Sequence, residues 1–202
     1  MINLAQDGGL WTVTINRPDK ANSLTPEMLE ELCRIVESAR EARALILTGA
    51  GKVFSAGADL DAARAGLAVS PLWERLSGAL LRLNGLTIAA LNGTAAGGAL
   101  GMVLACDLRI AVPSAKIFYP VMKLGFLPQP SDPARLTTLV GPSRAKLILM
   151  AGQKIPAEEA LIWGLIDRIT PPETLLTEAA TLAADTMGAT TDHAAAIKAL
   201  IR

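Results

Sequence analysis

The sequence predicts an α/β fold, and three observations carry that prediction. Apolar segments alternate between a strand-like and a helix-like period along the chain. Pairs of glycine or asparagine-glycine punctuate them. And 202 residues, 51% of them hydrophobic and 19% charged, suffice for one domain, 1–202, with a real core. Only 3% of residues are aromatic, so that core must be mostly aliphatic.

The elements follow in order. Leu10 to Ile15 (LWTVTI) is rich in β-branched and aromatic residues and stops at Asn16-Arg17-Pro18, which predicts a strand. Pro26 to Glu41 carries Met28, Leu29, Leu32, Ile35, Val36 and Ala39 on one helical face. Thr25 before Pro26 suits an N-cap followed by proline at the first helical position. Ala44 to Thr48 (ALILT) reads as a buried strand closed by Gly49-Ala50-Gly51. Leu72 to Leu83 is helical in period and ends at Asn84-Gly85. Leu86 to Leu91 (LTIAAL) reads as the next buried strand, Gly98 to Ala105 as an apolar helix, Leu108 to Val112 as a strand and Lys116 to Tyr119 as another. Beyond Pro133 the chain is helical, with breaks at Gly141-Pro142 and Gly152, a short strand over Leu165 to Ile169 and a last helix over Thr191 to Ile201.

Composition removes several functions. Nineteen basic residues balance nineteen acidic ones with no basic block, so there is no electrostatic case for nucleic acid. A single histidine, His193, and two distant cysteines, Cys33 and Cys106, do not make a metal site. Two such cysteines fit a reduced, cytoplasmic protein, and the start MINLAQDGGLW has no signal-peptide pattern. From Leu83 to Cys106 no residue is charged, but the glycine breaks at 85, 93 and 97–98 favour a buried strand, a turn and a buried helix over a membrane span. Gly49-Ala50-Gly51-Lys52 lacks the spacing and the Ser/Thr of a phosphate loop, and Gly93 to Gly98 lacks that of a dinucleotide fingerprint. Ser55 and Ser131 have no histidine partner in sequence context, so a Ser-His-Asp hydrolase is poorly supported.

Two small-residue segments carry the chemistry. Val53-Phe54-Ser55-Ala56-Gly57-Ala58-Asp59-Leu60 follows a strand and a glycine turn. Asn92 to Gly101 (NGTAAGGALG) joins a strand to a helix. Small residues let a backbone approach a ligand closely. A helix starting at Gly97-Gly98 aims free N–H groups and the positive end of its dipole outward. Two such N–H groups on different loops can clamp one oxygen that carries developing negative charge.

The order LTGAGKVFSAGADL, AALNGTAAGGALGMVLACDLRIA, AKIFYPVMKLGFLP, VGPSRAKLILMAGQKIPAEEALIWGLID, from about Asn16 to Asp167, resembles the crotonase, or enoyl-coenzyme A hydratase/isomerase, superfamily. The resemblance implies a spiral of β-β-α turns with a helical C-terminal part, assembled as a trimer or a pair of trimers. It implies an acyl-coenzyme A thioester as ligand, with no cofactor beyond the coenzyme A of the substrate. The N–H groups of Ala58 and Gly98 match the family's oxyanion hole. Ala56, Gly57 and Gly97 flank them, Ala58, Asp59, Leu60 and Asp61 line the acyl-coenzyme A channel, and Ala21 and Asn22 lie near the adenine. Relatives run several tens of residues further at the C-terminus, over the active site, so the chain is expected to be truncated relative to them.

The departures concern acids. Counting along the motifs puts Gly101 and Val121 where related hydratases have their two glutamates, and Gln129 where some isomerases have an acid. None of these three can move a proton near neutral pH. Asp132 is the remaining candidate acid or base, although its place before Pro133 suits a helix cap. Glu74, beside Arg75, is expected in water. Asp59 is expected to order its loop and His193 to be exposed on a helix; Tyr119 and Lys123, near the expected pocket, are expected to have packing or surface roles, with a donated hydrogen bond as the alternative for either. Decarboxylation, which asks least of side chains, isomerisation through a relocated acid, and ligand binding without turnover or as a partner subunit therefore all stay open.

Overall fold

The computed structural model describes residues 1–201. The chain opens with an antiparallel hairpin, β1 (Ile2–Asp7) and β2 (Leu10–Ile15), turned by Gly8-Gly9. The helix α1 (Pro26–Ser38) then crosses to β3 (Ala44–Gly49) and β4 (Val53–Ser55), followed by α2 (Leu60–Arg64) and α3 (Leu72–Arg82). A second turn of the spiral gives β5 (Leu86–Leu91), β6 (Thr94–Ala96) and α4 (Ala99–Ala105). A third gives β7 (Leu108–Ala111), β8 (Lys116–Phe118), α5 (Val121–Leu124) and α6 (Asp132–Leu149). The chain closes with β9 (Ile155–Pro156), α7 (Ala157–Trp163), β10 (Arg168–Ile169), α8 (Leu175–Gly188) and α9 (Thr191–Ile201).

Each turn gives one strand to each of two sheets before its helix. The larger sheet has the order β1-β2-β3-β5-β7-β10 and is parallel from β2 onward; the smaller has the order β4-β6-β8-β9. This is the β-β-α spiral that the motifs imply. Every residue of β3 from Ala44 to Thr48 is buried, as is β5 from Thr87 to Leu91. Central parallel strands are covered on both faces, which is why these segments read as unbroken apolar runs. α8 packs across β3, β5 and β7, while α1, α3, α4 and α6 pack in succession. The buried aliphatic side chains join into one cluster.

Local signals explain most boundaries. Thr25 accepts the Met28 N–H at 3.3 Å, and Pro26 follows it at the first helical position. The uncharged run from Leu83 to Cys106 resolves into β5, β6 and α4, and no helix of the described residues is long and apolar enough to cross a membrane. Gly141, at φ 80°, kinks α6 just before Pro142. Two expectations change. The strand over Leu165 to Ile169 shrinks to Arg168–Ile169, because the Leu165 N–H bonds Ala160 O at 2.9 Å and completes the end of α7. And β1, which only Ile2 anchors in the core, adds a strand that hydrophobic alternation does not announce.

Candidate active site

The first half of the site is the turn after β4. Leu24 and Ala58 form a parallel bridge, in which the Leu24 N–H donates to Gly57 O at 2.8 Å and the Asp59 N–H to Leu24 O at 2.9 Å. The Ala56 N–H donates to Ala21 O at 3.0 Å, and the Gly57 N–H to Ser55 Oγ at 3.1 Å. Parallel pairing uses the groups on either side of Ala58, so its own N–H faces away from the Leu24 strand. That N–H has no protein partner among the described residues.

The second half is the turn after β6. The Gly97 N–H bonds Phe118 O at 3.1 Å, and the Gly97 and Gly98 carbonyls accept the Leu100 and Gly101 N–H groups at 3.0 and 3.2 Å. Gly98 is the N-cap of α4 at φ −57° and ψ −18°. Its N–H, outside the intrahelical ladder, is also without a protein partner among the described residues.

The two turns touch. A Cβ on Gly57 would stand 2.7 Å from Ala96 O and 3.1 Å from Gly98 N, and Gly57 lies at φ +89°. Glycine is required there twice over, for the left-handed backbone and for the close approach. Ala58 and Gly98 both border one cavity of about 90 Å³, together with Trp73, Tyr119, Val121 and Gln129. Its remaining wall is apolar, with Leu60, Leu124, Phe126 and Leu127 at the rim.

The three acid positions are occupied as the sequence says, and the structure adds what stands around them. Val121 is buried in the wall. The Gln129 Nε2 donates to Ala68 O at 2.9 Å, tying the roof of the cavity to the loop before α3. At Gly101 a Cβ would meet the Asp132 carboxylate, with Oδ1 at 3.1 Å and Oδ2 at 3.4 Å. A carboxylate carried by α6 thus lies over the glycine of α4.

Asp132 is not the helix cap that its place before proline suggested. It is the first residue of α6, 1% exposed. Its Oδ2 accepts the Tyr119 phenol at 3.1 Å; its Oδ1 has no hydrogen-bond partner among the described residues, and Arg135 Nη1 stands 3.7 Å away. The N-cap is Ser131, held by Glu74, which is not free in water. Glu74 accepts the Ser131 N–H at 3.0 Å and the Ser131 hydroxyl. Burial pushes Asp132 up to about 6, more than the Tyr119 bond and Arg135 pull it down. Burial, with the Asp132 charge beside it, also raises the Tyr119 phenol.

A stability prediction follows from Asp132. Its folded-state value lies above the ordinary 3.8, so between pH 4 and 6 the native chain binds more protons than the unfolded one. Stability is therefore lost as pH rises through that window. Two pKa units correspond to about 3 kcal/mol. Urea unfolding of the wild type and Asp132→Asn from pH 4 to 7.5 should show the wild type losing about that much relative to the variant.

The other residues named from the resemblance are placed as follows. Asp59 caps α2, accepting the Asp61 and Ala62 N–H groups, and pairs with Arg17 Nη1 at 2.9 Å. The Arg17 hydrogen bond holds its carboxyl below the usual range. Asp59 does order its loop. Leu60 reaches the cavity rim, whereas Asp61 is exposed beside Arg64. Asn22 is fully buried, at φ 53°. Its Oδ1 accepts the Arg17 N–H at 2.8 Å, and its Nδ2 donates to Ala50 O and Val53 O at 2.9 and 2.6 Å. This side chain staples its own loop at Arg17 to the turn between β3 and β4. Asn22→Ala should cost about 3 kcal/mol by orphaning those buried groups, read as a lower urea midpoint.

A larger cavity, of about 570 Å³, lies between α9 and the β5–β7 region. Lys198 there is committed to Asp107 at 2.6 Å and to Gly85 O at 2.9 Å. His193, on its edge, is an exposed helix residue, as expected. Cys33 and Cys106 are buried, and burial raises both thiols, to about 11 and about 12.

The chain's likeness to known proteins agrees with this architecture. The enoyl-CoA hydratase/isomerase family profile matches residues 5–202. The short-chain-enoyl-CoA hydratase of Clostridium acetobutylicum is 36% identical over 193 residues, 89% of this chain and 72% of that one. The 1,2-epoxyphenylacetyl-CoA isomerase of Escherichia coli is 36% identical over 187 residues, 87% of this chain and 71% of that one. Among solved structures, DspI of Pseudomonas aeruginosa superposes with a TM-score of 0.91 at 34% identity, covering 99% of this chain and 85% of that one. With a profile match over nearly the whole sequence and relatives above 30% identity, the chain belongs to the enoyl-CoA hydratase/isomerase family.

Proposed function

We propose that the chain binds an acyl-coenzyme A thioester with its carbonyl oxygen between the N–H groups of Ala58 and Gly98. One observation carries this reading: two main-chain donors without partners among the described residues, on touching turns, border the same small apolar cavity. Preorganised donors in a dry site gain most when the thioester oxygen takes on enolate charge. The hydratase and isomerase relatives are named for coenzyme A thioesters, which supports the same ligand class.

The reaction is an enolate reaction other than hydration. With Gly101, Val121 and Gln129 at the acid positions, the side chains for managing water and a proton together are missing. Decarboxylation of a malonyl-type thioester needs no water and no base, because carbon dioxide leaves and its bonding pair passes into the enolate that the two N–H groups hold; the enolate then takes up one proton. Isomerisation needs one proton-moving group, for which Asp132 is the candidate. The second reading, an acyl-coenzyme A binder or partner subunit without turnover, is favoured by the absence of any carboxylate among the residues bordering the cavity. Assembly as a trimer or pair of trimers belongs to the same proposal, and sedimentation of the purified protein tests it.

The experiment is a panel of enoyl- and malonyl-type thioesters followed by mass, beside thermal unfolding with each. Binding at 100 times Kd should stabilise the fold by about 2.7 kcal/mol. A midpoint shift with turnover supports the enzyme, and a shift without turnover supports the binder. No shift with any thioester at saturation removes both.

A further inference from the structure

Tyr119 is the one titratable side chain among the residues that border the cavity of Ala58 and Gly98. Its hydroxyl is held on two sides: it accepts the Gln129 N–H at 3.3 Å and donates to Asp132 Oδ2 at 3.1 Å. Behind it, Asp132 is 1% exposed and keeps Oδ1 without a hydrogen-bond partner among the described residues. The space that carboxylate fills is the one a side chain on Gly101 would need, since a Cβ there would stand 3.1 Å from Oδ1. A buried carboxylate with an unpartnered oxygen is costly. It is kept here directly behind the phenol, with Arg135 Nη1 3.7 Å away and Glu74 as the other charged neighbour.

We propose that Tyr119 exchanges a proton with the carbon next to the thioester carbonyl, and that Asp132 is its proton store. This rests on the reading of Ala58 and Gly98 given above, and it adds the group which that reading lacks. The balance is simple. In enolisation the C–H bond breaks and its electron pair moves into the enolate whose oxygen the two N–H groups hold. The proton goes to the Tyr119 oxygen while the phenol proton passes to Asp132 Oδ2. The reverse delivers one proton to the carbon and returns Asp132 to carboxylate. After a decarboxylation only the reverse half runs, and Asp132 regains its proton from water. Burial disfavours a standing phenolate, so the two transfers occur together. Tyr119 is the catalytic residue of the pair, and Asp132 acts through it as a positioning residue.

Deuterium wash-in tests this without knowledge of the natural reaction. The protein is equilibrated in D2O with butyryl-coenzyme A, and the thioester mass is followed while Kd is measured by calorimetry. The wild type should incorporate deuterium next to the carbonyl. Tyr119→Phe should bind within twofold of the wild type and exchange at least about 100-fold more slowly, the range of a lost general acid–base. Asp132→Asn, which keeps an acceptor for the phenol, should slow exchange and flatten its dependence on pH between 5 and 7, a readout that a packing role would leave alone. Binding without exchange in the wild type overturns the proton role and leaves the thioester site standing. So does exchange in Tyr119→Phe at the wild-type rate. Absence of binding in the wild type overturns both.

Discussion

Gly98→Pro should abolish turnover or enolate formation while Gly98→Ala retains most of it. The two substitutions add a similar Cβ, which meets the Trp73 ring at 3.1 Å in either case. They differ in the N–H. Gly98 already lies at φ −57°, inside the range a proline ring fixes, and as N-cap it donates no helical bond. The proline variant therefore removes one donor from the cavity wall and sets its ring Cδ where that N–H pointed, next to Gly97 at φ +58°. Losing one oxyanion donor lowers kcat by roughly 100- to 1,000-fold. The ratio of the two variants' rates, from the thioester panel or from deuterium wash-in, reads that loss with the Trp73 crowding cancelled. Equal rates for the two would move the site away from Gly98.

Gly57→Ala should damage both the fold and the ligand site, because it combines a left-handed backbone with a close contact between the two turns. It forces an L-residue to φ +89° and drives its Cβ to 2.7 Å from Ala96 O. Strain and overpacking each cost about 1–3 kcal/mol, so a total of about 4 kcal/mol is expected. The substitution also pries apart the turns that carry Ala58 and Gly98. Chemical denaturation should show the loss of stability. Calorimetry under conditions where the variant remains folded should show acyl-coenzyme A binding weakened as well. A variant that binds normally would mean that the spacing of the two turns does not matter to the ligand.

The parts of this fold that the sequence makes legible are those whose physics is local. The runs of β3 and β5 are readable because both faces of a central parallel strand are apolar. The start of α1 is readable because Thr25 and Pro26 suit a helix entrance on their own. The turns at Ala58 and Gly98 are visible as small-residue segments, and the family resemblance pairs them. What local pattern does not carry is the joining of distant residues. Asp132 before Pro133 has the look of a cap, yet the N-cap is Ser131, held by Glu74 57 residues before it. Asp132 is thereby left to face Tyr119 and Gly101. Asn22 lies in a turn whose sequence says nothing of the three backbone groups it ties. β1 stays hidden because five of its six residues face outward.

Helix α3 has two consecutive residues in different halves of the site. Trp73 lays its ring against Gly98 and anchors its Nε1 on Leu67 O at 2.7 Å, while Glu74 grips the start of α6 at Ser131. The helix thus works as a gauge block, setting the gap between the Gly98 turn and the Asp132 end with one rigid part. Sequence changes that tilt or slide α3 should alter thioester affinity and α-proton exchange in step, so the two properties should drift together across a library of α3 variants.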